Sequence, residues 1–258
     1  MNEYALVTGA SKGIGREIAL QLAGAGYQLL LTARSEEELA VLSALIKAKY
    51  KVQVSYLPCD LGAPGGASQV ASWTKEQKLP LSILINNAGY GLFGAFDQLG
   101  LKDQQDMLHL NIEAVVSLTH QLLPLLKQQA QSYVLNLGST ASYQAVPSLA
   151  VYSATKAFIL SYSRGLRYEL KGSNISVTCL CPGPTATGFA SRAGLDAFAE
   201  LAEKFNMSPV DVAKAGLRAM FRKKAEVVPG FSNRVGALAA SFLPKVLVER
   251  VAASLYKL

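Results

Sequence analysis

The stretch "YALVTGASKGIGREIALQLAGAG", residues 4–26, decides the fold. Its first part, "YALVTG", is a short apolar run of the kind that forms a buried strand. From Gly13 the apolar residues recur at helical spacing until Gly26 stops them. Between the two lies "TGASKGIG", residues 8–15, whose Gly9, Gly13 and Gly15 allow a tight turn and close backbone approach. A strand, a glycine turn and a helix in this order point the helix's free N–H groups and positive dipole end at an anionic group such as a pyrophosphate. Glycines alone also simply make turns. Placement directly after a strand and before a helix is what gives this pattern weight. The spacing is Gly-x-x-x-Gly-x-Gly rather than the commoner Gly-x-Gly-x-x-Gly.

The alternation continues outward. "YQLLLTAR" reads as a strand and "SEEELAVLSALIKAK" as a helix, with Ser35 as N-cap and Glu38 completing a capping-box pattern. "VQVSYLPCD", "LSILINNAG", "SYVLNLGS" and "ISVTCLCPG" read as further strands. Helical segments cover roughly 102–128 and 150–171. Near-continuous apolar strands separated by helices predict an α/β protein. The expected fold is a Rossmann-type doubly wound parallel sheet of about seven strands with helices on both faces. No internal repeat or linker interrupts residues 1–258, which predicts one domain. Residues 186–206 are expected to form a substrate lid, and 231–258 a C-terminal helical segment.

Composition excludes several function classes. In 258 residues, 50% are hydrophobic and 17% charged, enough to build a sizeable core. The net charge is +7, but its basic residues are scattered apart from Arg222-Lys223-Lys224, so no nucleic-acid footprint is visible. Cys59, Cys179 and Cys181 give no disulfide framework, and no metal site is expected. No signal-like leader or membrane-spanning apolar run is present, so a cytoplasmic protein is expected. His109 and His120 both lie in the helical segment 102–128, and no Gly-x-Ser-x-Gly elbow surrounds Ser139, which argues against a serine hydrolase.

At the end of the second strand, about 20 residues after the glycines, stands Arg34, followed by Ser35. That position meets an adenosine ribose in this type of sheet. An acidic residue there would accept from ribose hydroxyls, whereas a guanidinium suits a 2′-phosphate. The reading is therefore NADP (as NADPH), with Lys12 assisting; the alternative is an exposed loop arginine. Tyr152 and Lys156, in "VYSATK", lie one helical turn apart on one face. Such a pair on a solvated face is unremarkable by itself.

Taken together, these residues resemble the short-chain dehydrogenase/reductase family over roughly residues 4–190. The resemblance rests on "TGASKGIG", "CDL" at 59–61, "NNAG" at 86–89, Asn111, Ser139, Tyr152 with Lys156, and "PGPTAT" at 182–187. It implies catalytic roles for Asn111, Ser139, Tyr152 and Lys156 in interconverting a carbonyl and an alcohol by hydride transfer. Tyr152 would be the general acid/base: a free phenol titrates near ~10, and a neighbouring cation lowers that by roughly 1–3 units. Ser139 would orient the substrate oxygen, and Asn111 would hold a water in the proton path. The implied cofactor residues are Gly9, Ser11, Lys12, Gly13, Ile14, Gly15, Arg34, Ser35, Asp60, Leu61, Asn87, Ala88, Gly89, Tyr152, Lys156, Pro182, Gly183, Thr185 and Thr187. Asp60 and Leu61 would meet the adenine, Thr187 the nicotinamide carboxamide, and Asn87 would steady the central sheet. Thr185 departs from the family's usual Val or Ile.

The rival is a non-catalytic nucleotide-binding sensor, which would be expected to lack a catalytic member; here all four are present. "YGLFGAF" at 90–96, Tyr143 and Phe189 are expected to wall an apolar pocket, which would suit an apolar ketone, acyl or aldehyde substrate. Helices 102–128 and 150–171 look too apolar for one-sided burial, and the family commonly pairs through them, so a homodimer or homotetramer is expected. The amphipathic basic stretch at the C-terminus is expected to pack within the protein or oligomer rather than touch a membrane.

Overall fold

The computed structural model describes residues 2–189, 193–194 and 206–255. Most of the expected lid at 186–206, and residues 256–258 of the C-terminal segment, lie outside them. Seven strands form one parallel sheet in the order β3-β2-β1-β4-β5-β6-β7. They are β1 (Tyr4–Thr8), β2 (Gln28–Ala33), β3 (Val54–Pro58), β4 (Leu81–Asn86), β5 (Ser132–Leu137), β6 (Ile175–Leu180) and β7 (Glu226–Val227). The six strands read from the sequence are present. The seventh has two residues, too short to show a pattern.

The opening stretch folds as expected, with helix α1 (Gly13–Gly24) following β1. Helix α2 is Glu36–Tyr50, α3 Gly66–Glu76, α4 Leu101–Leu108 and α5 Ala114–Lys127. Helix α6 is Ala150–Glu169, α7 Pro209–Phe221, α8 Phe231–Phe242 and α9 Lys245–Leu255. Side chains alternate across each strand, so the sheet has two apolar faces. Ala5, Val7, Leu29, Leu31, Ile83 and Ile85 meet α1, α2 and α7. Leu6, Leu30, Leu84, Val134 and Val177 meet α3, α5 and α6 on the other face. The chain runs outward from β1 to the β3 edge and returns beside β1 as β4. The carboxyl ends of β1 and β4 thus border the point where the winding reverses, where ligands of such sheets bind.

Two expectations need correction. Ser35 caps α2, accepting from Glu38 N at 3.3 Å, but the Glu38 carboxylate is 2.7 Å from Lys12 Nζ, so the box is not reciprocal. No residue of α5 is a strongly exposed large apolar one, because α3 covers much of its outer side: Gln121 Nε2 donates to Ser68 Oγ at 3.1 Å. Leu101, Leu108, Phe158 and Tyr168 are the exposed apolar residues on α4 and α6.

A buried polar chain ties the centre of the sheet to its helices. Asn86 Nδ2 donates to Thr119 Oγ1 on α5 at 2.9 Å and to Asn136 Oδ1 on β5 at 2.8 Å. Asn136 Nδ2 donates to Ser163 Oγ on α6 at 2.9 Å, and Ser163 donates on to Ile159 O at 2.6 Å. Asn136→Ala would strand a buried N–H of Asn86 and an acceptor site on Ser163. Leaving buried groups unpaired costs about 1–3 kcal/mol, so the urea midpoint is expected to fall with an unchanged slope. An unchanged midpoint would mean that the chain is not a source of stability.

Candidate active site

The site begins at the β1–β4 border. Thr8 Oγ1 donates to Ile85 O at 3.1 Å and accepts from Asn87 N at 2.9 Å and Ala88 N at 3.1 Å. Asn87 Nδ2 donates back to Thr8 O at 2.9 Å and Gly9 O at 3.1 Å. Asn87 therefore fastens the glycine turn to the end of β4, as the resemblance implies. The hub that it shares with Thr8 was not visible in the sequence, because the two residues are 79 positions apart.

The turn itself requires glycine. Gly9 and Gly13 have φ of 62° and 54°, where side chains are rarely accommodated. A Cβ on Gly15 would lie 2.3 Å from Gly9 O. A Cβ on Gly13 would come within 2.9 Å of Thr187 Cγ2, which places the "PGPTAT" loop over the turn. Ile14 packs against the α1–α2–α7 core, while Ser11 and Lys12 both bond the Glu38 carboxyl and hold it below its ordinary range, Lys12 more strongly. Arg34 is exposed at the end of β2 and makes no hydrogen bond or ion pair among the described residues. Asp60 is exposed and its Oδ1 accepts from Gly62 N at 2.9 Å; Leu61 is buried in the core beside it. Glycines where a Cβ would collide and a helix N-terminus together fit a dinucleotide, with the Arg34 guanidinium exposed just past β2.

The catalytic candidates converge at the neighbouring strand ends. Ser139 caps a 3₁₀ turn (Thr140–Tyr143) just past β5. Its Oγ accepts from Ala141 N at 3.1 Å, and its N–H donates to Ser142 Oγ at 3.2 Å. Ser142 Oγ donates to Lys156 O at 2.8 Å, locking this turn to α6. Tyr152 is buried, with its ring 5.4 Å from that of Phe189 and 5.7 Å from Lys156 Nζ. Lys156 Nζ donates to Leu137 O at 2.8 Å. A Cβ on Gly89 would lie 2.9 Å from Asn111 Oδ1 and 3.6 Å from Lys156 Nζ; one on Gly91 would lie 3.2 Å from the Tyr152 ring. The "NNAGYG" strip is therefore the floor of the site, and only hydrogen at its glycines leaves it open.

Asn111 sits in a π-helical turn, His109–Glu113, between α4 and α5. Such turns occur often at functional sites. Its Oδ1 accepts from Tyr90 N at 3.1 Å, and its Nδ2 donates to Tyr90 O at 2.8 Å and Thr155 Oγ1 at 3.1 Å. The side-chain amide is thus engaged by protein groups, and it pins the floor strip to α6.

Two residues are placed differently from expectation. Tyr143 is not in the apolar wall. The 3₁₀ turn carries it behind Ser139, where it packs with Cys179 and Cys181 and its hydroxyl donates to Glu226 at 3.2 Å. Burial, together with Cys181 and the Glu226 carboxylate, pushes its phenol well above the ordinary range. Phe96, at the end of "YGLFGAF", points to solvent. The wall around Tyr152 keeps the expected Leu92, Phe93 and Phe189 and adds Val146 and Leu149.

Pro182 O accepts from Thr140 N at 2.8 Å, coupling the loop after β6 to the Ser139 turn. Thr185 pairs with Met207 in one ladder rung, and Thr187 Oγ1 accepts from Phe189 N at 3.2 Å. Gly183 lies against Asn233, an unforeseen neighbour from α8: a Cβ there would be 2.4 Å from Asn233 Oδ1. No group of three or more potential metal ligands occurs among the described residues. His109 and His120 are exposed, and His109 Nδ1 is 2.6 Å from Glu113 Oε2.

Burial pushes Lys156 down to about 8, partly offset by the nearby Cys179 and Cys181. At neutral pH it remains an ammonium, and above about 8 that charge is lost. An ammonium beside a phenol favours the phenolate, so its loss weakens Tyr152 as a proton donor and acceptor pair. For carbonyl reduction, kcat/KM is expected to fall as pH rises through about 8, in a profile measured at saturating cofactor. A flat profile from 7 to 9 would show that the lysine charge does not contribute.

Comparison with known proteins agrees with this geometry. The sequence profile described as "short chain dehydrogenase" matches residues 3–197. The very-long-chain 3-oxoacyl-CoA reductase of Laccaria bicolor is 35% identical over 176 residues, 67% of this chain and 52% of that protein. Sulfoacetaldehyde reductase 2 of Chromohalobacter salexigens is 35% identical over 191 residues, 73% of this chain and 75% of that protein. This chain thus spans about half the length of the acyl-CoA reductases it matches. A solved short-chain dehydrogenase from Sphingobium yanoikuyae, in complex with NADPH, superposes with a TM-score of 0.84 at 32% identity, covering 93% of both chains.

Proposed function

The chain belongs to the short-chain dehydrogenase family, and on that premise we propose that it is an NADP-dependent oxidoreductase interconverting an apolar carbonyl compound and its alcohol. One observation carries the reading. The floor of Gly89 and Gly91 brings Asn111, Lys156 and Tyr152 together beside the glycine turn. A non-catalytic sensor has no need of that convergence.

A nicotinamide cofactor held by the glycine turn after β1 would supply the hydride for the carbonyl carbon. The protein's own groups handle the oxygen. Tyr152 gives its hydroxyl proton to that oxygen as negative charge develops on it. The Lys156 ammonium stabilises the phenolate left behind. Ser139 Oγ already accepts from Ala141 N, so its own proton is free to be donated to the substrate oxygen and to orient it. The reverse sequence oxidises the alcohol. Gly9, Gly13 and Gly15 would hold the pyrophosphate, and Arg34 the 2′-phosphate, with Ser35 beside it.

The apolar wall supports a substrate with a bulky or long apolar body, and the acyl-CoA reductases among the relatives point the same way. A panel of apolar ketones, 3-oxoacyl thioesters and small polar aldehydes, followed by NADPH absorbance loss, tests both points. Turnover of the apolar members is expected. No turnover of any carbonyl, with NADPH still bound, would favour the sensor.

We also infer a cytoplasmic placement and a homodimer or homotetramer. Cys179 and Cys181 lie with Sγ atoms 3.5 Å apart as free, buried thiols, a pairing suited to a reducing compartment. Exposed Leu101, Leu108, Phe158 and Tyr168 on α4 and α6 are the surface that would pair copies. Light scattering that gives only monomer at micromolar concentration would count against this.

A further inference from the structure

The C-terminal helices α8 and α9 have their apolar residues on the wrong side for elements that only complete a core. Of its side chains, the buried ones are mainly small: Ala237, Ala240, Val248 and Ala252. The large ones face out. Phe231 is 83% exposed and Phe242 85% exposed, and Val235 and Leu238 fall between them at steps of four, three and four residues. That spacing is one continuous helical stripe. Leu243 follows in the connecting turn, and Val246, Leu247 and Val251 are exposed apolar residues of α9. Half of the strongly exposed large apolar residues of the described chain therefore sit within residues 231–251. Within the protein itself, this segment packs by its alanine face.

The charge on these helices selects among occupants. Among the described residues of 231–255, Arg234, Lys245 and Arg250 are exposed, against the one carboxylate of Glu249. A second copy docked face to face about a two-fold axis would bring like charges together. A surface of negative charge complements them. No described helix is long and apolar enough to cross a membrane, and α8 and α9, at 12 and 11 residues, suit lying in a bilayer's interface instead.

We propose that the exposed apolar residues of α8 and α9 are a docking surface for an anionic phospholipid bilayer, with Phe231 and Phe242 inserted among the headgroups and Arg234, Lys245 and Arg250 meeting their phosphates. Helix α8 is fastened beside the catalytic loops. Asn233 Nδ2 donates to Pro229 O at 3.0 Å and its Oδ1 abuts Gly183, while Ala237 packs in the cluster of Tyr143 and Cys181 behind Ser139. Docking therefore acts on a helix that touches the loops carrying Gly183 and Ser139. The surface is independent of the carbonyl chemistry, and its test needs no substrate.

The test is cosedimentation of the full chain with vesicles of phosphatidylcholine alone and with about 30% phosphatidylglycerol added. Binding to the anionic vesicles, little binding to the neutral ones and release at high salt are expected. The double variant Phe231→Ser/Phe242→Ser should weaken binding at least about tenfold, since both side chains lose their apolar burial. Both residues are exposed and outside the catalytic machinery, so a retained cooperative melt and retained NADPH binding serve as the folding control. Arg234→Gln/Arg250→Gln should abolish the preference for anionic over neutral lipid. No binding to either vesicle overturns the proposal, as does equal, salt-insensitive binding to both. Conversion of an oligomer to a monomer by the double phenylalanine variant would assign the face to a second copy and overturn it as well.

Discussion

Tyr152→Phe is expected to lose at least about 100-fold in kcat while binding NADPH as the parent does, since general acid catalysis supplies that much or more. The substitution removes one oxygen and keeps the ring. That ring holds its place by packing against Phe189 and within the cluster of Met107, Val146 and Leu149, which Phe preserves. Lys156 stays hydrogen-bonded to Leu137 O, and Ser139 stays held by Ala141 and Ser142. What goes is the proton for the substrate oxygen. Tyr143 cannot replace it, because its hydroxyl is turned to Glu226 and its phenol is held firmly protonated. The check is steady-state turnover with any substrate found in the carbonyl panel, alongside NADPH binding by fluorescence. Normal turnover in the variant would remove Tyr152 from the reaction.

Arg34→Asp is expected to invert cofactor choice. Arg34 is the cation at the ribose end of β2 that nothing in the described structure engages. Lys12 is compromised by its ion pair with Glu38 at 2.7 Å, so its help would require breaking that contact. A charge-assisted hydrogen bond is worth about 1.5–3 kcal/mol net, which at about 1.4 kcal/mol per tenfold gives roughly 10- to 150-fold preference for NADPH. The aspartate removes this attraction, repels the 2′-phosphate and offers NADH an acceptor for its ribose hydroxyl. Because the site is open to solvent, salt should narrow the parental preference. The measurement is kcat/KM for both cofactors in parent and variant. Equal parental use, or an unchanged ratio, would make Arg34 an ordinary surface arginine.

Much of the site was legible because its chemistry is local. Tyr152 and Lys156 are one helical turn apart, and Gly9, Gly13 and Gly15 belong to one turn, so spacing alone shows that each group shares a face or a turn, while the catalytic roles come from the resemblance to the family's motifs. The strands were legible because parallel strands buried on both faces are continuous apolar runs. Helix α3 escaped notice for the opposite reason. It is largely polar, starts after two glycines and buries only Ala67, Val70, Ala71 and Thr74 beyond its first residue.

By itself, the sequence determined the alternation of six strands with the apolar-patterned helices and the glycine turn at the first crossover, and its resemblance to the family named the candidate residues for the chemistry. Only the tertiary structure decided which of them meet. The knot of Thr8 with Asn87, the chain from Thr119 through Asn86 and Asn136 to Ser163, the diversion of Lys12 to Glu38 and of Tyr143 to Glu226, and the outward face of α8 all depend on elements distant in the chain. Local periodicity says which way a side chain points from its own helix or strand. It carries no information about what stands opposite, because that is set by sheet order and by the packing of one element on another.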